Sequence, residues 1–408
     1  MHLLFNGEWT FLETAAGTDY KEAMGRLEDF QPVQVPHDWL IFDAEDLYRD
    51  GTGWYFKKVH FDREMTGEAG KKVFLCFDGI YMDSVIYVND EKVGEWKYGY
   101  SPITLDITGQ IKEGENRFAV SVTYQSPNTR WYSGAGLFRD VQLMIAEETY
   151  IPHNGIYAHT CKENGHYCLR VETELATLRE DVSDYAMIPN IGNYQVDYSL
   201  LDASGKQVDV TKLTETYRDA EDEVCDATGN PEIRTVKVST YCMENVEEWD
   251  PEHPCLYTLQ ARLLEGDKVL QEETCHIGFR EVITDPEKGL LLNGRPFKLH
   301  GVCEHHDLGA LGAAFHKEAM ARKMEIIKTM GVNAIRLTHN MAAEGVLELA
   351  DEKGILLISE AFDMWERPKT TYDYARFFPQ WYEKDVAAWI RRDRNHPSVI
   401  FWSIGNEI

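Results

Sequence analysis

The sequence predicts a multidomain chain in which two antiparallel β-sandwiches precede the first half of a parallel (β/α)8 barrel. Three observations predict it. The 408 residues are 43% hydrophobic and 12% aromatic, enough to bury more than one core. Short alternating or β-branched runs broken by turn residues continue to about residue 284. Near Asp285 the period changes to strands alternating with helices, the pattern of parallel strands joined by crossovers.

In residues 1–148 the runs 72–77, 84–88 and 118–124 are separated by turn residues such as Asn89 and Asp90, a spacing that suits an antiparallel sandwich. Residues 149–284 repeat the style in 167–174, 195–201, 234–240 and 257–264, so a second, smaller sandwich is expected. Within 285–408, a strand over 297–303 precedes a helix whose Met320, Met324, Ile327 and Met330 share one face. A strand over 332–337, a helix over 342–353 closed by Gly354, and a strand over 355–359 follow. A helix ending before Pro397 leads to a last strand, 399–404. Continuously apolar strands of this kind are buried on both faces. Four strands cannot close an eight-stranded barrel, so the native chain is expected to continue past Ile408.

Charge and composition exclude several classes of function. A formal net charge of −28 is unsuited to holding nucleic acid, which needs clustered Lys and Arg. No run of about 18 apolar residues marks a membrane span, and Met1 to Asn6 is not the start of a charged-then-apolar leader. A soluble, cytoplasmic protein with no membrane partner is the expectation. Eight cysteines without CxxC pairs or metal-like spacing, such as Cys76 inside an apolar run, read as buried free thiols.

A parallel sheet of this size is either doubly wound or a barrel. No glycine-rich phosphate loop follows the first strand, where the sequence is Glu304-His305-His306-Asp307, and that disfavours a dinucleotide site. Polar residues instead collect at the C-terminal ends of the strands, where a barrel keeps its chemistry. The first end presents His305, His306 and Asp307; the second Arg336, Thr338, His339 and Asn340; the third Glu360, Asp363 and Trp365; the fourth Asn406 and Glu407. Carboxylates, imidazoles, an amide and an indole suit carbohydrate chemistry, with no serine nucleophile elbow and no thiol with a matched base. Singly, each group has a structural reading: a satisfied histidine, an Arg336 neutralising a buried carboxylate, a core Trp365, a Glu407 favoured by a helix dipole. Coincidence at successive strand ends is harder to sustain.

The run from Asp393 to Glu407, Asp-Arg-Asn-His-Pro-Ser-Val-Ile-Phe-Trp-Ser-Ile-Gly-Asn-Glu, resembles the acid/base signature of glycoside hydrolase family 2. Asn333 to Asn340, continued through Asp351, Gly354 and Ser359 to Asp363, resembles that family's other signature. Val35-Pro36-His37-Asp38-Trp39, Gly53-Trp54-Tyr55, Asp78-Gly79-Ile80 and Arg130 to Arg139 resemble its N-terminal sugar-binding jelly roll, and Trp249 to Tyr257 the end of its immunoglobulin-like domain.

The resemblance implies a retaining exo-β-glycosidase acting on terminal β-glycosides, a β-galactosidase first, with β-glucuronidase a close alternative and β-mannosidase behind. The alternative of another class is a non-catalytic carbohydrate-binding protein. Carried over by residue, Glu407 is the acid/base and Asn406 holds the sugar's 2-hydroxyl. His305 and His339 line the non-reducing subsite, Arg336 supports the carboxylates, and Asp363, Trp365 and Arg130 complete the binding set. The nucleophile is a second Glu of a later strand, outside these residues. Members with a magnesium site use a Glu and His where this chain has Asp363-Met364-Trp365-Glu366, so no metal and no cofactor are expected. Cys303, Ser359 and the lack of the usual proline in His339-Asn340-Met341 depart from the family's pattern. A homo-oligomer is the expected assembly.

Overall fold

A computed structural model of the chain describes residues 1–177, 194–219 and 233–407. Among the described residues, the N-terminal part is a jelly-roll sandwich of a six-stranded and a four-stranded sheet, both antiparallel. Its two longest strands, Gly51–Phe61 and Gly114–Tyr124, pair through their whole length at the centre of the larger sheet. The smaller sheet carries Val141–Ala146 between His2–Leu4 and Lys72–Phe77. The immunoglobulin-like part that follows centres on the pairing of His166–Thr177 with Ile233–Met243. Opposite it lies a three-stranded sheet of Tyr194–Leu201, Tyr257–Glu265 and Lys268–Ile277.

The barrel portion contributes four parallel strands: β1 (Gly301–Glu304), β2 (Ala334–Leu337), β3 (Leu356–Phe362) and β4 (Val399–Gly405). Helices α1 (Lys317–Thr329), α2 (Glu344–Lys353) and α3 (Phe378–Asp393) connect them. Gly354 ends α2 in the left-handed conformation at φ 66°, as a C-terminal cap demands.

Four expectations need correction, the last that of buried cysteines. Of the anticipated first strand, 297–303, only 301–303 joins the parallel sheet, in a strand that runs on to Glu304; residues 295–296, just before it, belong to a small antiparallel sheet with Gly289–Leu292 and Val282–Asp285. Met330 is 68% exposed although Met320, Met324 and Ile327 are buried, because it caps α1 and the helical periodicity has ended there. Burial on both faces holds for β2 and β3, while β1 and β4 are largely half-exposed or exposed as the two edges of a four-stranded sheet. Of the cysteines, Cys76 and Cys168 are buried, Cys303 is exposed and the other described ones are half-buried; Cys225 lies outside the described residues.

The jelly roll and the barrel share one hydrophobic core: Tyr98, Tyr100 and Phe138 of the first pack in a single cluster with Ala361, Phe362 and Tyr374 of the second. Polar contacts fix the angle between them. The buried Arg139 guanidinium donates to the carbonyls of Tyr100 (2.9 Å), Met341 (2.7 Å) and Ala342 (3.2 Å), and Arg392 reaches Asp78 at 2.6 Å and Ala342 at 2.7 Å. Both arginines therefore grip the segment just after β2. The second sandwich is tied to α3 by Arg391 with Glu174, and to the turn after α3 by Asn395, which bonds the backbone of Ala158 and Ile156 at 2.9 Å each. No described helix is long and apolar enough to cross a membrane.

Candidate active site

The site is assembled where β1 to β4 end, because side chains at successive strand ends of a parallel sheet face one another. At the end of β3, the fully buried Glu360 collects four donors: Arg336 Nε (2.9 Å) and Nη2 (2.7 Å) from β2, His339 Nδ1 (2.6 Å) and Ser403 Oγ (2.8 Å) from β4. A paired, fully hydrogen-bonded carboxylate of this kind is a scaffold, and it orients both Arg336 and His339. Arg336 continues to Asn406 Oδ1 at 3.2 Å.

Asp363, just past the end of β3, is 3% exposed. Its Oδ1 accepts from Arg130 Nη2 (2.8 Å), Lys369 Nζ (2.8 Å) and Asn406 Nδ2 (2.7 Å). Burial alone would push this carboxyl up, but the hydrogen bonds from Lys369, Asn406 and Arg130 outweigh it and hold it below the usual carboxylate range. Asn406 is thus clamped from both sides, and its carbonyl receives Trp365 Nε1 at 3.4 Å. Trp365 packs on Phe362 and Phe378, beneath the end of β4.

Glu407 follows at φ 52°, a left-handed conformation that residues with a Cβ adopt seldom and that clusters at functional positions. Its Oε2 lies 3.1 Å from Lys369 Nζ and 3.1 Å from Arg130 Nη2, and the side chain is 58% exposed. The Lys369 hydrogen bond and charge, with the Arg130 charge, lower its affinity for a proton.

Across the cleft, the Trp131 ring stacks on His305 with centroids 4.8 Å apart, and His305 meets His339 edge-on at 5.6 Å. Burial and the neighbouring His339 push the His305 pKa down, and its buried Nδ1 has no hydrogen-bond partner among the described residues. His306 turns away: its Nε2 meets the Ser133 carbonyl at 2.9 Å and its ring lies against Tyr100 and Phe138, where burial lowers its pKa to about 4.

The jelly-roll loop 130–136 reaches the barrel because small residues let it. Gly134 has φ 64°, and a Cβ there would lie 2.4 Å from Ala313 Cβ and 2.6 Å from Asp38 Oδ2. An apolar cavity lies elsewhere, between α1 and the sheet and lined by Met320, Met324 and Ile327 among others; neither Asp363 nor Glu407 lines it. Among the described residues no group of three or more His, Cys, Asp or Glu is arranged to hold a metal ion.

Three models of one family match the chain in succession: the family 2 glycosyl hydrolase sugar-binding domain over residues 40–147, the family 2 domain proper over 181–280, and the family 2 TIM barrel domain over 283–408. The chain belongs to glycoside hydrolase family 2. A β-galactosidase of Bacteroides ovatus, BoGH2A, is 36% identical over 99% of this chain and 46% of its own length. A putative β-glucuronidase of Formosa agariphila is 33% identical over 99% of this chain and 37% of its own. The crystal structure of a family 2 member from Bacteroides cellulosilyticus superposes with a TM-score of 0.84 at 33% identity, covering 100% of this chain and 52% of that one. The chain thus spans about half the length, or less, of these relatives.

Within this family 2 chain, the sequence left Lys369 unmarked and gave Glu360 only a place at the end of the third strand. Lys369 lies outside both signatures, in the loop between β3 and α3, where a lysine beside a proline carries no signal of its own. Glu360 stands inside a signature, but its role as a hub depends on contacts from β2 and β4. The signature's own Asn395 and His396 prove to be structural, the first docking the second sandwich and the second bonding Asp351 at 2.6 Å.

Proposed function

We propose that the full-length protein is a retaining exo-β-glycosidase that cleaves terminal β-galactosides by double displacement. The observation that carries this reading is the convergence of Asp363 and Glu407, from the ends of β3 and β4, on Arg130 from another domain, with Asn406 bonded to Asp363 beside them. A carboxyl group held at the rim of a cleft walled by Trp131, His305 and His339 suits a sugar ring and an acid for its leaving group.

Glu407 donates its proton to the glycosidic oxygen as the bond to C1 breaks, then takes a proton from water in the second step. Asn406, oriented by Arg336 and Asp363, holds the 2-hydroxyl. His305 and His339 bind hydroxyls of the non-reducing sugar, Arg336 holds the carboxylate scaffold, Trp365 backs Asn406, and Arg130 with Asp363 forms the rim. Retention requires a second carboxylate about 5–5.5 Å from Glu407, whose negative charge raises the acid's pKa against the cations that lower it. The partner is a β-glycoside, and homo-oligomeric assembly and a cytoplasmic location complete the proposal. A second reading, a β-glucuronide, is supported by the paired cations Arg130 and Lys369 at the rim and by relatives named as glucuronidases.

The test is Glu407→Gln in the full-length enzyme, assayed on an activated aryl β-galactoside and on an alkyl β-galactoside. An activated leaving group needs little protonation, so the alkyl substrate should lose about 100-fold or more and the aryl substrate much less in its first chemical step. Equal losses on both would sink the acid role. Wild-type turnover of glucuronides above galactosides would move the sugar assignment.

A further inference from the structure

Lys369 has the geometry of a working part of the site. Its loop is pinned from below: the backbone N–H groups of Lys369 and Thr370 donate to Asp373 Oδ2 at 2.6 and 2.7 Å, Asp373 is buried, and the Tyr372 N–H bonds the Pro127 carbonyl of the jelly roll at 2.9 Å. From this base the side chain runs inward, 19% exposed, to place Nζ 2.8 Å from Asp363 Oδ1, 3.1 Å from Glu407 Oε2 and 3.4 Å from the Asn406 carbonyl. An ammonium group has three donors, and these three acceptors account for them.

An ordinary surface ion pair would contribute little. Here one partner, Asp363, is 1% exposed at its side chain and already shared with Arg130, so it serves as the anchor that keeps Lys369 aimed. Glu407 is the exposed partner, 58% exposed at its side chain. We propose that Lys369 is a positioning residue that fixes the Glu407 carboxyl group over the cleft and favours the step in which Glu407 gives up its proton. This rests on the reading of Glu407 as the acid/base.

Charge counting shows the direction. Glu407 faces Lys369 from the β3–α3 loop and Arg130 from the jelly roll; behind them stand Asp363 and, through Asn406, Arg336 with its partner Glu360, while His305 and His339 form the far wall. Arg336 and Glu360 cancel. With Glu407 protonated, Lys369 and Arg130 carry one positive charge more than Asp363 offsets. When the proton moves to the glycosidic oxygen, the C1–oxygen bond breaks, the leaving group departs as the alcohol and the second carboxylate bonds C1; the new Glu407 carboxylate then restores neutrality. The same cations oppose proton recapture from water, which the charge of Asp363 moderates.

The experiment is the pH profile of kcat/KM on an alkyl β-glycoside with full-length Lys369→Met and Lys369→Arg, since the basic limb reports the essential acid. Removing the cation should move that limb up by about one pH unit, and arginine should return it towards wild type. Should Lys369→Met fail to fold, Lys369→Gln, closer in polarity, replaces it. A basic limb that stays at its wild-type position in the uncharged variant overturns the proposal, whatever happens to kcat. Glu407→Gln in the same assay separates the two readings. If it retains the alkyl-glycoside rate and limb, Glu407 is not the acid; if it abolishes them while Lys369→Met leaves the limb in place, only the role of Lys369 fails.

Discussion

Tyr132 donates its hydroxyl to Asp38 Oδ2 at 2.6 Å, and the same oxygen accepts the backbone N–H of Ala313, after β1, at 2.9 Å. The other oxygen takes the N–H groups of Leu40 (3.1 Å) and Ala135 (3.0 Å), so one carboxylate, 1% exposed, ties the loop bearing Arg130 to the barrel. Asp38→Ala strands these donors and should cost about 4 kcal/mol, and Tyr132→Phe about 2 kcal/mol, read as shifts in denaturation midpoint. Because Arg130 depends on this anchor, kcat/KM of folded Asp38→Ala should fall as well. Unchanged kcat/KM at reduced stability would show that the loop holds its place without Asp38.

Glu360→Gln should be damaging out of proportion to its size. The amide cannot balance the charge of Arg336, and removing one partner of a buried pair costs about 3–5 kcal/mol. Misplacing Arg336, His339 and, through them, Asn406 should lower kcat/KM by about 100-fold. Ser403→Ala removes one bond to the same carboxylate and should cost only about 1 kcal/mol. Similar losses from both variants would count against a hub.

His396 gives the stability a pH dependence. Burial pulls its pKa down, but the charge and hydrogen bond of Asp351 prevail and raise it to about 9. Its unfolded value is near 6.5. A group whose folded pKa is raised binds more protons in the folded state between the two values, so stability is full below about pH 6.5 and declines as the pH rises through 9. Of the order of 3 kcal/mol should be lost across that window. Unfolding free energies of wild type and His396→Gln at pH 6 and pH 9 check this; the variant's curve should be flatter, and parallel curves would refute it.

Much of the fold was legible because periodicity records burial. The alternating run Ser84–Val88 and the buried face Met320, Met324 and Ile327 each declare one side to the core, the continuous apolar run Lys72–Phe77 declares burial on both faces, and Gly354 declares a helix end by its backbone freedom. The four clusters at successive strand ends could likewise be placed together, since the end of a parallel strand is a position that local pattern alone marks.

What the sequence determined by itself was the order of the layers, the family and the short list of polar groups at the strand ends. Tertiary structure decided which of those groups meet. Glu360 became a scaffold and Asn406 a clamped amide because β2, β3 and β4 lie side by side, and His306 left the cleft because the Ser133 carbonyl of another domain drew its ring away. Lys369 entered the site through a loop tied to Asp373, and Arg130 through a carboxylate some 90 residues earlier in the chain. A hydrogen bond acts over about 3 Å, whereas these partners are tens to hundreds of residues apart, so no local pattern can record the pairing.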